Sequence, residues 1–347
     1  MKLSGVATVA QLAEFDEIID ARSPAEFADD HIPDAINLPV LNDEERARIG
    51  TIYKQVSAFE AKKLGAAMVS RNIAHHLETH FPGRPRKHRP LVYCWRGGNR
   101  SGSFTHVLQK IGFAAAQLEG GYKGYRRKVI DDLETLPGQF QFRVISGPTG
   151  SGKSRLLQAL TKAGAQVLDL EALASHRGSV LGVLPDQPQP SQKSFESALW
   201  DQLHRLSPDN PVFVESESRK IGGLQIPDGL ITAMRSSTCI QLELPREVRI
   251  RLLIEDYEHF LQQPDILIAQ LNCLIELRGK ETVDAWRALI EQGDWPNLVG
   301  ALLDEHYDPA YRKSLARNYG TVTQLSTLSV GNISQKDFDL AAQSLLS

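Results

Sequence analysis

The sequence predicts an α/β protein with two domains, the second a parallel sheet with helices on both faces, and a mostly helical C-terminal extension packed on the second domain. Two stretches carry this prediction, because in each an apolar run of strand character meets a glycine-rich loop and then a helical pattern (residues 91–111 and 142–160). The turn-rich segment Leu136–Gln139 lies between them and suggests a boundary. The predicted limits are residues 1–137, 138–245 and 246–347.

Composition restricts the class of protein. Of the 347 residues, 41% are hydrophobic and 23% are charged, which is typical of a globular protein. Three cysteines are too few for a disulfide framework, and their spacing fits no zinc site. The first residues lack the apolar core of a signal peptide, and no apolar run approaches the roughly 18 residues of a membrane span. We therefore expect a cytoplasmic protein without a membrane partner. Because the net charge is −3, a polyanionic partner would need a local basic patch.

The first domain begins with short elements that alternate between strand and helix. Glu17–Asp20 reads as a strand that ends in an acid, and Ser23–Glu26 has the serine, proline and glutamate of a capped helix start. A compact loop follows at His31–Pro39. Helical stretches at residues 43–50 and 58–80 then form a long insertion-like segment before the next strand.

A cysteine lies where that next strand meets its glycine-rich loop. The loop, residues 94–101, reads Cys-Trp-Arg-Gly-Gly-Asn-Arg-Ser and leads into a helix. Such a loop directs backbone N–H groups toward its centre, and together with Arg96, Arg100 and the helix N-terminus it should lower the pKa of the Cys94 thiol. The cradle could hold a persulfide, a selenide or a phosphate-like anion. The alternative is a small buried cysteine at a strand end.

The sequence around this loop is strongly basic. Residues 84–128 contain eleven lysines and arginines against one acid, Glu119. The basic residues are Arg84, Arg86, Lys87, Arg89, Arg96, Arg100, Lys110, Lys123, Arg126, Arg127 and Lys128. Aromatic residues are interspersed, and Trp95 could stack on a base or pack on the neighbouring helix. Although a charge run is usually only a solvated face, we predict that this patch faces RNA.

The second domain contains a phosphate-binding loop. Residues 147–154 read Gly-Pro-Thr-Gly-Ser-Gly-Lys-Ser, between the strand Phe142–Ser146 and an amphipathic helix, which is the context that the motif requires. Backbone N–H groups would wrap a diphosphate, Lys153 would reach the terminal phosphate, and the Ser154 hydroxyl would bind Mg²⁺. The predicted phosphate-binding residues are Gly147, Gly150, Gly152, Lys153 and Ser154.

Further strands of this domain end in acids or polar loops. Strands are predicted at residues 165–171, 211–218 and 239–245. Glu215 is the first candidate for the acid that binds the Mg²⁺ shell, and Asp169 is the second. Ligands of open α/β sheets lie beyond the carboxyl ends of the strands. Basic side chains there could neutralise phosphate, or they could simply be exposed loop residues. These candidates are His176, Arg177, Arg219 and Lys220.

Three segments of the first domain resemble the signatures of rhodanese domains. They are Asp20-x-Arg22-x-x-x-Glu26-Phe27 with His31-Ile32-Pro33, the loop Cys94–Ser101, and Glu119-Gly120-Gly121-Tyr122. The resemblance implies a rhodanese-like fold and transfer of sulfur or a related atom through Cys94, with Arg96 and Arg100 in the catalytic loop. Asp20 and Arg22 are expected to form a structural ion pair, and His31 to be a structural hydrogen-bonding residue.

The combination of both domains resembles the bacterial tRNA 2-selenouridine synthase family. The resemblance rests on Tyr-Cys-Trp-Arg-Gly-Gly at residues 93–98, Ser-His-Arg-Gly-Ser at 175–179 and Val-Glu-Ser-Glu-Ser-Arg at 214–219. It implies selenation of 2-thiouridine at the wobble position (U34) of tRNA with selenophosphate, through an S-geranyl intermediate made from geranyl diphosphate. The implied partners are tRNA and an enzyme that supplies selenophosphate. A different hypothesis is an ATP-dependent kinase or ATPase that a sulfur-sensing rhodanese domain regulates, which predicts ATP turnover without tRNA.

Overall fold

The computed structural model describes residues 5–185, 187–319 and 325–346. The chain divides into two compact units, of which the first contains residues 1–132 and 191–201 and the second contains residues 133–190 and 202–347. The extension that starts at residue 246 therefore belongs to the second unit. A short segment from the middle of the chain, residues 191–201, belongs to the first unit, which the sequence did not indicate.

The first unit is built on a sheet of five parallel strands in the order β1-β5-β4-β2-β3. The strands are β1 (Val6–Ala7), β2 (Glu17–Asp20), β3 (Ile36–Asn37), β4 (Pro90–Tyr93) and β5 (Ala116–Leu118). In the β2–β4 pair, Ile19 lies opposite Val92 and Asp20 lies opposite Tyr93. Because the strands are parallel, their carboxyl ends meet at one edge, and Cys94 follows β4 at that edge.

These strands are connected by the α-helices α1 (Pro24–Asp29), α2 (Asp43–Gln55), α3 (Ala58–Thr79) and α4 (Asn99–Ile111), and α5 (Gly121–Thr135) follows the last of them. The predicted capping box of Ser23 and Glu26 is present at the start of α1. The core contains buried residues of β2, β4, α3 and α4, among them Ile19, Val92, Phe104 and Leu108. The predicted helical stretch at residues 43–50 continues to Gln55, where the two-residue linker to α3 begins.

The second unit has its own sheet of five parallel strands in the order β12-β11-β6-β8-β7, with β6 at the centre. The strands of this unit are β6 (Phe142–Ser146), β7 (Gln166–Leu168), β8 (Val212–Glu215), β9 (Lys220–Ile221), β10 (Leu224–Gln225), β11 (Thr238–Glu243) and β12 (Leu325–Ser329). Strands β9 and β10 form a separate two-stranded hairpin. The sequence also predicts a strand at residues 321–326 in the extension. The structure has a strand at Leu325–Ser329, and residues 321–324 lie outside the described part of the chain. The extension thus contributes an edge strand as well as helices.

The helices of the second unit include those of the extension, which was predicted to be mostly helical. They are α6 (Lys153–Lys162), α7 (Leu170–Ala174), α8 (Gln192–Arg205), α9 (Asp228–Arg235), α10 (Arg246–Asp256), α11 (Glu258–Gln262), α12 (Pro264–Asn272), α13 (Ile275–Arg278), α14 (Lys280–Glu291), α15 (Trp295–Leu302), α16 (Asp308–Tyr319) and α17 (Gln335–Leu346), with residues 192–201 of α8 counted in the first unit. No helix of the described residues has a stretch that is both long and apolar enough to cross a membrane.

Within the described residues, apolar cores stabilise this unit in two places. One lies between the sheet and helices α6 and α17 and includes Phe213 and Phe338. The other is formed mainly by the helices of the extension around Trp286 and Leu271. The strand predicted at residues 165–171 ends earlier than expected, because Asp169 caps α7 by accepting a hydrogen bond from the Ala172 amide (2.8 Å).

Candidate functional site

The Cys94 side chain is held by a chain of hydrogen bonds inside the loop between β4 and α4. The side chain is 3% exposed, and the Ser101 hydroxyl donates to its sulfur (3.1 Å). The Gln117 amide nitrogen donates to the Ser101 oxygen (2.8 Å) and to the Gly97 carbonyl (2.6 Å). The single proton of the Ser101 hydroxyl has two acceptors within reach, the Cys94 sulfur and, at 3.4 Å, the Gly98 carbonyl. The loop is therefore built to hold this sulfur in one position.

The start of α5 closes over the same loop. The Tyr122 amide donates to the Cys94 carbonyl (2.8 Å), and the Lys123 amide donates to the Trp95 carbonyl (3.0 Å). Gly121 has a φ of +56°, and a Cβ at this position would lie 2.2 Å from the Cys94 carbonyl oxygen and 2.3 Å from the Gly97 nitrogen. Only glycine fits this close approach. The Glu-Gly-Gly-Tyr sequence thus has a physical role beside the cysteine.

The two arginines of the loop differ in their surroundings. Arg96 is exposed, whereas Arg100 donates to the Glu26 carboxylate (3.0 Å). Burial opposes ionisation of Glu26, but Arg100 and the Ser23 amide hold the pKa of this carboxyl below its ordinary value. The charge of Arg100 is therefore shared with an acid from α1, and the catalytic roles of Arg96 and Arg100 stay predictions.

Asp20 and Arg22 form the predicted ion pair. Their closest atoms are 2.6 Å apart, and both side chains are buried. The Arg22 guanidinium also lies 3.8 Å from the centre of the Tyr122 ring and donates to the Asp30 carbonyl. Removing either partner would leave a buried charge unpaired, which identifies a structural pair. The His31 ring is within hydrogen-bonding distance of the Phe27 carbonyl (2.9 Å), which also fits the expected structural role.

The basic stretch is partly neutralised by acids from outside it. Its paired members are Arg84 with Glu17, Arg89 with Glu14, Arg100 with Glu26, Arg126 with Glu196, and Lys128 with Asp132. The members that are exposed and have no ion pair among the described residues are Arg86, Lys87, Arg96, Lys110, Lys123 and Arg127. Trp95 is 36% exposed, and its ring lies 5.3 Å from that of Tyr122. It therefore packs on α5 and keeps one part accessible.

A cavity of about 620 Å³ surrounds the phosphate-binding loop in the second unit. Gly150 and Gly152 adopt φ values of +75° and +83°, and a Cβ on Gly152 would lie 2.5 Å from the Phe338 ring. The Lys153 ammonium donates to the Gly147 carbonyl (3.0 Å), and the Ser154 hydroxyl donates to the Glu171 carboxylate (3.1 Å). All five predicted phosphate-binding residues line this cavity.

Carboxylates gather behind and beside Lys153. Asp169, Glu171 and Glu217 line the cavity, whereas Glu215 is 2% exposed and lies behind its wall. One Glu215 oxygen accepts from the Glu171 amide (2.8 Å), and the other has no hydrogen-bond partner among the described residues. Burial and the neighbouring acids raise the pKa of Glu215, and burial together with Glu171 raises the pKa of Glu217 to about 8. The cluster therefore binds protons readily.

The predicted magnesium ligands do not meet in one place. Within the described residues, no group of three or more His, Cys, Asp or Glu side chains is arranged to hold a metal ion. The hydroxyl of Ser154 lies beside Glu171 rather than Glu215. A hydroxyl and a carboxylate are nevertheless the oxygen ligands that Mg²⁺ uses together with substrate phosphates. Glu171 therefore suits the ion better than Glu215, and sequence reasoning missed it by placing it at the end of a strand.

Of the basic candidates, two line the cavity and two do not. Arg177 lies 4.7 Å from the centre of the Tyr257 ring and donates to the Asp256 carbonyl. The other lining residue is His176, whose pKa is lowered by burial. Arg219 and Lys220 are outside the lining, and Arg219 pairs with Asp228 (2.7 Å). This position does not favour the predicted contact of Arg219 with phosphate, because its guanidinium lies outside the cavity and pairs with Asp228.

An additional arginine supports the phosphate-binding loop. Arg249 of α10 is 6% exposed and donates two hydrogen bonds to the Thr149 carbonyl (3.0 and 2.8 Å). It also pairs with Asp308 at the start of α16 (2.6 Å). The extension thereby fixes one carbonyl of the loop. Nothing in the local sequence around Arg249 distinguished it from the other arginines of its helix.

A second, apolar cavity of about 60 Å³ lies beside the first. The two cavities have Thr149, Leu253, Tyr257 and Tyr307 in common. The remaining walls are apolar side chains of α10–α12 and α15 together with Leu181 and Leu303, and they include Phe260, Trp295, Leu298 and Leu302. We refer to this cavity as the apolar slot. Its volume is about that of two water molecules, so a ligand with its diphosphate on the loop could place only the end of an apolar tail in it.

Comparisons with known proteins match both units. A family profile described as "tRNA 2-selenouridine synthase AAA domain" matches residues 140–271, and a profile described as "Rhodanese-like domain" matches residues 6–128. Curated tRNA 2-selenouridine synthases of Bdellovibrio bacteriovorus and Marinobacter nauticus are each 34% identical, over 88% of this chain and 90% of theirs. That of Nitrosomonas europaea is 41% identical over 69% of this chain, and the match spans 63% of that relative's length.

Proposed function

The chain belongs to the tRNA 2-selenouridine synthase family, and we propose on this premise that it replaces the sulfur of 2-thiouridine at the wobble position of tRNA by selenium. The selenium donor we propose is selenophosphate, delivered by the enzyme that makes it. The observation that carries the proposal is the presence of two built sites on one chain. One holds the Cys94 sulfur in a hydrogen-bonded loop, and the other surrounds a complete phosphate-binding loop. A tRNA substrate implies a cytoplasmic location.

The apolar slot supports geranyl diphosphate as a second substrate. Its diphosphate would bind the N–H groups of the phosphate-binding loop and Lys153, and its hydrocarbon chain would extend along Leu253 and Tyr257 toward Leu298. A nucleoside triphosphate has no apolar tail, so the slot gives the kinase alternative no support. This slot is the feature that favours a prenyl diphosphate over ATP.

In the first proposed reaction, the 2-sulfur of thiouridine attacks C1 of geranyl diphosphate. The S–C bond forms, the C–O bond breaks, and N3 of the uridine loses its proton as diphosphate leaves. Negative charge grows on the departing oxygens, where Lys153 and the backbone N–H groups stabilise it. Ser154 and Glu171 are the residues that would hold Mg²⁺, which would supply further positive charge there. Glu217 can hold a proton near neutral pH, so it need not repel the diphosphate.

In the second proposed reaction, the selenium of selenophosphate attacks C2 of the uridine, and water then cleaves the P–Se bond and releases phosphate. The C–Se bond forms, and the S-geranyl thiolate leaves as the C–S bond breaks. The loop around Cys94, with its Ser101 donor, is the place where we expect a selenium or sulfur anion to be held. The S-alkyl group matters chemically, because it makes the sulfur a better leaving group than a bare thiocarbonyl.

The decisive experiment is mass spectrometry of nucleosides from 2-thiouridine tRNA incubated with the full chain. Geranyl diphosphate alone should give the S-geranyl nucleoside, and addition of selenophosphate should convert it to 2-selenouridine. We expect Lys153→Ala to block the first product, and Cys94→Ser to block only the second. Cys273→Ser, at an exposed cysteine, is the matched control and should leave both products unchanged. Unmodified tRNA with steady ATP hydrolysis would instead support the kinase alternative.

A further inference from the structure

The segment between β3 and β4 forms a helical hairpin that stands on the first unit. Helices α2 and α3 are joined by a linker of two residues, 56 and 57. The two helices run antiparallel. This is shown by the contact between Gly65 of α3 and Ile49 of α2, which are almost equally far from the linker along the chain. At the base, the Asn72 amide donates to the Val40 carbonyl (3.1 Å). The base is thus fixed to the rhodanese-like body, and residues 53–63 form what we call the hairpin tip.

The hairpin tip exposes three large apolar side chains. Tyr53 is 57% exposed, Val56 is 74% exposed and Phe59 is 71% exposed. Single exposed apolar residues are ordinary on protein surfaces, but here three fall within seven residues at one end of the hairpin. These three side chains contribute little to the stability of the fold, since the two helices pack through other residues such as Ile49 and Ala61. Two of the three carry flat aromatic rings.

The same tip is positively charged. It carries Lys54, Lys62 and Lys63 against one acid, Glu60. Lys63 pairs with Glu60 (2.7 Å) and lies 5.8 Å from the centre of the Phe59 ring. Lys54 and Lys62 are exposed, and neither has an ion pair within the described residues. The acids of α2 are instead at its N-terminus, at the base of the hairpin, where they complement the helix dipole.

We propose that the hairpin tip binds the tRNA substrate, with the rings of Tyr53 and Phe59 stacking on unpaired bases and Lys54 and Lys62 contacting phosphates. This inference rests on the proposed function. Exposed aromatic rings beside lysines are the combination by which proteins hold single-stranded nucleic acid. A second copy of the chain is a poorer occupant, because a two-fold contact would bring the same lysines together on both sides. RNA can both stack its bases on the rings and place its phosphates beside the lysines.

Two double variants separate the stacking from the charge contribution. Tyr53→Ser with Phe59→Ser removes both rings, and stacking of the usual strength predicts that the Kd for 2-thiouridine tRNA rises about tenfold or more. Lys54→Gln with Lys62→Gln should lower the slope of log Kd against log salt by about 1.5, the value for two phosphate contacts. Because all four side chains are exposed, far-UV circular dichroism should be unchanged.

The matched control places the same kinds of change on α17. Leu340 is 55% exposed and Lys336 is exposed, so Leu340→Ser with Lys336→Gln should leave the Kd and its salt slope at wild-type values. In single-turnover assays at saturating tRNA, the tip variants should form product at the wild-type rate, because neither reaction site is altered.

Three outcomes would overturn the inference. They are wild-type Kd values and salt slopes for both tip variants, equal losses in the α17 control, and a tip variant that changes only the oligomeric state in gel filtration while tRNA binding persists. In each case wild-type protein that modifies tRNA would leave the proposed function intact. Conversely, wild-type protein that binds tRNA through the tip and produces no modified nucleoside would refute the proposed function alone.

Discussion

Replacing Gly121 by alanine tests whether the start of α5 closes the Cys94 loop. The new Cβ would lie 2.2 and 2.3 Å from backbone atoms of Cys94 and Gly97, at a φ of +56°. The left-handed backbone costs alanine about 1 kcal/mol. The overlap costs about 1–3 kcal/mol more, because the backbone cannot move without breaking the hydrogen bond from Tyr122 to Cys94. We therefore expect Gly121→Ala to lower the free energy of unfolding by about 3 kcal/mol.

Gly83 provides the matched control for this prediction. Its φ is +79°, and a Cβ there would have no neighbour within 4 Å. Gly83→Ala should therefore cost only the backbone term of about 1 kcal/mol. Urea unfolding measures the loss in free energy of unfolding for each variant. The rate of hydrogen exchange in peptides covering residues 94–101 should rise only in Gly121→Ala. Equal costs in the two variants, with unchanged exchange in the loop, would refute the steric reasoning.

Three further predictions concern the second unit. Leu298→Trp should raise the KM for geranyl diphosphate at least about tenfold without changing inhibition by free diphosphate, whereas Leu298→Ala should favour longer prenyl diphosphates. If Leu298→Trp weakened inhibition by free diphosphate as much as it raised the KM, the slot assignment would be contradicted. Burial raises the pKa of the Glu217 carboxyl to about 8, so this group is neutral below that pH and negatively charged above it. Calorimetry without Mg²⁺ should therefore show that the affinity of the wild-type protein for geranyl diphosphate falls from pH 6 to pH 9. The fall should be smaller in Glu217→Gln, which cannot become charged. Arg249→Met leaves the Thr149 carbonyl and Asp308 without their partner and should weaken diphosphate binding about tenfold, while Arg251→Met, on the same helix and bonded to Asn332, should not.

Local motifs were predictable because their chemistry is written in consecutive residues. The sequence predicted the strand Phe142–Ser146 and the phosphate-binding loop after it, and the structure confirms the strand at the same residues. It also predicted the ion pair of Asp20 and Arg22, which are two residues apart. The rhodanese-like and tRNA 2-selenouridine synthase assignments are confirmed by the comparisons with known proteins.

Features that depend on distant residues could not be predicted in the same way. Arg100 reads as a free cation in its loop, but Glu26, far away in sequence, takes up its charge. The apolar slot required the extension helices to pack beside the phosphate-binding loop, and an apolar helix face alone does not reveal a cavity. The position of Glu171 beside Ser154 depended on a strand ending three residues earlier than its apolar pattern suggested.

The return of residues 191–201 to the first unit affects how the chain is made. The Lys193 ammonium pairs with Asp29 (2.7 Å), and the Trp200 indole donates to Asp132 (2.8 Å), so the first unit is incomplete until these residues exist. During synthesis the ribosome must therefore add residues 133–190 before the N-terminal half can finish folding. The rhodanese-like unit can therefore be completed once residue 201 has been added, before the second unit, which also needs residues 202–347.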